Sequence, residues 1–283
     1  MKRAILVPSA IELPAEQLLD AALMVAERID GDIHEMFVRP DAASVYAYTP
    51  EVILAAGVSM ETVEREIAQA ASASQNAFET WSARNNIAKP SGSAREHMSA
   101  HWSVRVGDLE AMVTRFGRIS DFVVVQRPTL ASTQAQRCFD AAVFGSGRPT
   151  LVVGDELPRG IAEHVMIAWN GSLEASRAVA GAMPLLERAK RISVLTALEH
   201  DMDDIDLTDL AEVFSLRGLY TPEVAFPTRS HSAGADLIEA ARKQQATLIV
   251  MGAYTHSRMR QAFLGGVTKH LLAHAPVPLL MCH

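Results

Sequence analysis

Cysteine is nearly missing from this chain: two in 283 residues, Cys138 and Cys282, far apart. They make neither a disulfide framework nor a CxxC metal half-site, so the sequence reads as that of a cytoplasmic protein in a reducing compartment. Long apolar runs are missing too, and none approaches the length of a membrane span. The opening stretch MKRAILVPSAIELP resembles a secretory leader only at first. Pro8 and Glu12 interrupt its apolar run and no small-residue cleavage site follows, so it reads as a strand and a loop. There is no basic surplus: the formal net charge is −7 and the isoelectric point about 5.8. That balance argues against general nucleic-acid binding.

Several catalytic and metal signatures are also wanting. GGVTK holds Walker-type residues in the wrong order, no GxGxxG follows a strand, and no GxSxG elbow is present. The acidic run EHDMDDIDLTDLAE, residues 199–212, lacks the glycine and the spaced glutamate of a calcium loop and reads as solvated. His270 with His274, and His97 with His101, are i, i+4 pairs without a recognisable third ligand.

What is present is a core and a repeat. Hydrophobic residues make up 49% of the chain, enough to bury a core without staples, and the length fits two ordinary domains. DFVVVQRP (121–128) and TLIVMGAY (247–254) are matching β-branched runs of the kind buried on both faces. Each follows a helical stretch, GDLEAMVTRFGRIS or GADLIEAARKQQA, and each precedes a Pro and a further apolar run, GRPTLVVG or VPLLMCH. The front ends also match. RAILVPSA and HVMIAWNG run into small-residue turns, then helices, the second after a candidate N-cap at Ser172. Second strands follow, GDIHEMFV and RISVLTAL.

Each half thus alternates strand and helix, which predicts an α/β fold of two tandem doubly wound domains. The domains are expected at 1–154 and 162–283, joined near GDELPRGIAEH. The first half carries an extra helix from Ser59 to about Asn86, with a seam of Met60, Val63, Ile67, Ala70, Ser74, Ala77 and Trp81. That seam either packs on its own domain or meets another domain or chain.

The tandem repeat, the AWNGS turn, LIVMGAY followed by THSR, LGGVT and the closing APVPLLM together resemble the universal stress protein family. The resemblance is strong over the second half and weaker over the first. It implies, for each half, a five-stranded parallel sheet with helices on both faces, of the adenine nucleotide alpha hydrolase-like kind. Many members bind ATP and others do not. Their motif is Gly, two residues, Gly, nine residues, then Gly followed by Ser or Thr. Glycines there let backbone approach phosphate, and a helix N-terminus supplies donors and partial positive charge.

Laid on this sequence, Gly252 takes the first position and Gly265 the third. Thr255 stands where the second Gly is expected, and a left-handed backbone there would cost about 1–2 kcal/mol. Gly266 stands in place of Ser or Thr, with Thr268 two residues on. His256, Arg258 and Arg260 either add positive charge or are plain exposed loop residues. By the same resemblance, Asn170 replaces the usual Asp, after Ala168 and Trp169. Trp169 either lines or crowds the base pocket. The backbone near Thr196 and Ala197 would meet adenine. The expected binding set is Ala168, Trp169, Asn170, Ala197, Met251, Gly252, Thr255, His256, Arg258, Gly265, Gly266, Val267 and Thr268. In the first half, Gln136 and Arg137 stand at the positions of Gly265 and Gly266 and Ala10 near that of Asn170, so no site is expected there.

The expected function is a stress-response protein that binds ATP or another adenine nucleotide, with magnesium as the accompanying ion, and is not an enzyme. The alternative is a nucleotide-free tandem protein acting as an interaction module. A slow ATPase is a third reading, weakened by the lack of a clear general base near the loop. Family members often dimerise through the last strand, so VPLLMCH is a candidate contact, met by a second copy or by the other half of the chain.

Overall fold

The computed structural model describes residues 2–48, 59–88, 98–129, 131–196, 207–219, 223–225, 233–253 and 266–283. They fall into two compact units, residues 1–125 with 130–146, and residues 126–129 with 147–283.

The first unit runs β1 (Arg3–Ser9), α1 (Glu16–Ile29), β2 (Gly31–Arg39), α2 (Ala42–Tyr48), α3 (Met60–Arg84), β3 (Ala100–Val106), α4 (Leu109–Gly117), β4 (Phe122–Gln126) and α5 (Thr133–Asp140). A π-helical turn, Ala141–Gly145, closes α5. Its strands are parallel in the order β3-β2-β1-β4. Ile5, Leu6, Val7 and Val123–Val125 are all wholly buried. That explains why β1 and β4 read as unbroken apolar runs: both faces are covered. Successive residues of a strand face opposite ways. His34 of β2 meets Phe116 of α4, while Glu35 bonds Ser74 of α3. So α3, with α1 beside it, covers one face, and α4 covers the other.

The seam of α3 faces its own unit. Ile67 and Trp81 are buried and Ser74 half-buried. Ala77 is exposed, and Phe78 is buried in its stead. Trp81 Nε1 donates to Asp20 of α1 at 2.8 Å, and Arg84 pairs with Glu16 and Asp20.

The second unit holds β5 (Thr150–Val153), β6 (His164–Trp169), α6 (Leu173–Leu186), β7 (Arg191–Thr196), α7 (Leu207–Leu216), β8 (Glu223–Ala225), α8 (Ala233–Lys243), β9 (Leu248–Gly252), α9 (Gly266–His274) and β10 (Leu279–Cys282). The strand order is β5-β10-β9-β6-β7-β8. All described pairings here are parallel except that of β5 with β10, where Leu280 faces Leu151. The α/β class and the mostly parallel sheet agree with the sequence reading. The antiparallel join is an addition: β5, which closes the first sequence repeat, is a strand of the second unit. No helix among the described residues is long and apolar enough to cross a membrane.

Candidate functional site

The second unit brings four strand ends to one edge. Trp169 of β6 pairs with Thr196 of β7, Ala168 pairs with Met251 of β9, and Gly252 pairs with Cys282 of β10. In doubly wound sheets the carboxyl edge of the strands is where ligands bind. Of the expected set, Ala168, Trp169, Asn170, Met251, Gly252, Gly266, Val267 and Thr268 are described. Ala197, Thr255, His256, Arg258 and Gly265 lie outside the described residues.

The turn after β6 is built by its own side chains. Gly171 has φ 68°, a backbone that favours glycine. Asn170 Oδ1 accepts from the Ser172 amide at 3.2 Å and from its hydroxyl at 2.8 Å. Ser172 in turn accepts from the Ala175 amide and caps α6, as the sequence predicts. The Asn170 carbonyl oxygen is therefore engaged in an Asx turn.

Gly252 is explained by packing alone. A Cβ there would lie 2.6 Å from the Ala175 amide nitrogen and 2.8 Å from the Glu174 carbonyl carbon. Those are backbone atoms of the first turn of α6, which cannot swing aside. Gly266 is the reverse case. It opens α9, is exposed, and a Cβ there would meet nothing within 4 Å. The first turn of α9 carries amides that have no partner within the helix. Thr268 is only 6% exposed, so its hydroxyl is not offered to solvent in place of the missing one at Gly266.

Trp169 is half-buried, yet its Nε1 is wholly buried and has no hydrogen-bond partner among the described residues. The chain's other tryptophans differ. Trp81 donates to Asp20 and Trp102 to Ser74. A buried donor without an acceptor costs about 1–3 kcal/mol. Trp169 thus leaves a donor at the end of β6 that no described residue meets.

In the first unit the counterparts of these positions are engaged with described residues of their own unit. Ala10 pairs back with Leu13 through two backbone bonds straight after β1. Arg137 is held by Asp108 and Glu110.

Two other constellations offer no site. His164 and Ser193 form a serine–histidine pair that sequence reading did not find, since the residues lie 29 apart. His164 Nδ1 lies 2.8 Å from the Gln244 carbonyl, which only accepts, so Nδ1 carries the proton and Nε2 accepts from Ser193 at 2.7 Å. Ser193 is fully buried and its hydroxyl already donates to His164, so the pair is satisfied within the core. The rings of His270 and His274 lie 4.7 Å apart, but no group of three metal-ligating side chains occurs among the described residues. Burial pushes both the Cys138 and Cys282 thiols up to about 12, which keeps them unreactive.

Comparison with known proteins agrees with this architecture. Residues 162–283 match the model of the universal stress protein family. No curated protein matches the chain. A universal stress protein from Archaeoglobus fulgidus DSM 4304 has a similar structure, with TM-score 0.71 and 16% identity, covering 99% of this chain and 96% of that one. A putative universal stress protein from Pseudomonas aeruginosa UCBPP-PA14 gives 0.58 at 13% identity, covering 99% and 92%. The cytoplasmic domain of a prokaryotic cation chloride cotransporter gives 0.50 at 11% identity, covering 99% and 95%. At such identities the structures speak for the fold, and the family rests on the sequence match. Residues 162–283 of this chain thus match the universal stress protein family, and the chain shares its fold with a member of that family along nearly its whole length.

Proposed function

We propose that this protein binds an adenine nucleotide, ATP or a relative, at the carboxyl edge of β6, β7 and β9, as part of a stress response. The observation that carries this reading is the Trp169 indole, a buried donor with no acceptor among the described residues. Adenine nitrogens and ribose oxygens are acceptors of the right kind. The open first turn of α9 at Gly266 supplies amides and a positive dipole end suited to phosphate. Magnesium would come with the phosphates, which usually provide most of its non-water ligands. No chemical step is proposed.

A second reading rests on two observations. Gly252 is required by packing against α6, and Asn170 Oδ1 is spent on its own turn. Both remove support from a nucleotide site and favour a nucleotide-free interaction module. The pairing of β10 with β5 supports the view that the last-strand contact is made within the chain rather than with a second copy.

Calorimetric titration with ATP and magnesium, on the native chain and on Thr255→Gly, separates the two. The first reading expects saturable binding by the native chain. A silent native chain beside a Thr255→Gly variant that binds would establish the second.

A further inference from the structure

The first unit contains a buried acid that no part of the nucleotide reading uses. Glu35 sits at the middle of β2 and is 1% exposed. Its Oε1 accepts from the Ser9 hydroxyl of β1 at 2.7 Å and from the Ser74 hydroxyl of α3 at 3.1 Å. Ser74 accepts in turn from Trp102 Nε1 of β3 at 3.1 Å. Glu35 Oε2 is buried and has no partner among the described residues. Two donors on one oxygen and none on the other suit a neutral acid with its proton on Oε2.

Among the described residues no countercharge stands by. The neighbours from β1, β3 and α3 are Ser9, Trp102 and Ser74. On α3 itself, Glu61, Glu64, Arg65, Glu66 and Glu79 are exposed. On α1, Asp20 is held by Trp81 and Arg84. The sequence of α2 has no charged residue. His34, His101 and Arg105 belong to the opposite face, where α4 packs.

We propose that Glu35 is a proton-linked latch that holds helix α3 on the sheet and lets it open when the carboxyl ionises. Ser9 and Trp102 belong to the sheet, so Ser74 is the bond that ties the acid to a separable element. The helix is not anchored evenly. Phe78, Trp81 and Arg84 fix its C-terminal end to the sheet and α1. Ahead of Ser74, Ile67 is its one buried side chain. An unpaired carboxylate under the helix is relieved most cheaply by water entering beneath this loosely held N-terminal part.

Burial raises the Glu35 carboxyl to about 7, against opposing hydrogen bonds from Ser9 and Ser74. The closed state therefore keeps its proton up to about pH 7, while the open state loses it near the ordinary carboxyl value of 4.5. Opening then becomes more favourable by roughly tenfold per pH unit between those values and levels off above.

Amide hydrogen exchange over residues 60–74 of the full chain, corrected for intrinsic pH dependence, tests this. The native chain should show an opening constant that climbs from pH 5 to 7 and then flattens, and Glu35→Gln should show a flat profile. The side-chain amide of that variant retains an acceptor for both serines. An unchanged climb in Glu35→Gln, or a flat profile in the native chain, would overturn the latch. Should the variant not fold, the carboxyl carbon resonance of Glu35 in the native chain decides. A step near pH 7 supports the proposal, and a step between 4 and 5 ends it.

Discussion

At the scale of single residues, Gly252 shows how a motif position can be accounted for by packing. Gly252→Ala places a methyl group against backbone atoms of Glu174 and Ala175. We expect it to destabilise the protein by about 1–3 kcal/mol whether or not nucleotide is present, read as a lower midpoint in chemical denaturation. An unchanged midpoint would show that the strand end moves freely. The N-cap at Ser172 was legible in the sequence because capping is local: the residue and the amide it accepts from are three apart. Glu35 was not legible. Its partners Ser9 and Ser74 lie 26 and 39 residues away. In a pattern read residue by residue, a glutamate in a strand is taken as outward.

At the scale of elements, β2 carries two titrating groups on opposite faces, His34 half-buried and Glu35 buried, and they act with opposite sign. Burial, then the charges of His101 and Arg105, lowers His34 to about 4 from 6.5. The unfolded chain binds that proton more readily, so the His34 contribution is full above pH 6.5 and is lost as pH falls toward 4. Glu35 does the reverse, losing stability as pH rises from 4.5 to 7. Global unfolding senses both, so their slopes offset between pH 4.5 and 6.5, whereas local opening of α3 senses Glu35 alone. In Glu35→Gln, thermal melts should therefore show stability rising from pH 4 to 6.5. A melting profile identical to that of the native chain would contradict this.

Most elements were readable from periodicity, since α1, α6 and α8 present apolar faces and β1, β4 and β9 are continuous apolar runs. The edge strands β3 and β8 were not placed. In β3, His101 and Arg105 alternate with half-buried or exposed residues, and only Ala100 and Ser103 are buried. With one side open to water, an edge strand needs no apolar run.

At the scale of the whole molecule, the tandem repeat, the α/β class and the family resemblance of residues 162–283 were all visible in the sequence. The antiparallel join of β5 to β10 was not, because pairing direction leaves no mark on an apolar run such as TLVV or LLMC. The repeats are also unequal in chemistry. At one carboxyl edge Ala10 folds back on Leu13, and at the other the Trp169 indole has no acceptor among the described residues. The nucleotide proposal therefore concerns the second unit alone. The three tryptophans of the chain make that claim directly measurable, since two are hydrogen-bonded in the first unit and one has no partner among the described residues in the second. The decisive measurement is a titration of ATP with magnesium into the full chain, followed by the indole N–H resonances in nitrogen-15 NMR. We predict that the Trp169 resonance shifts saturably while those of Trp81 and Trp102 stay in place. Three resonances unmoved at millimolar ATP would contradict the account.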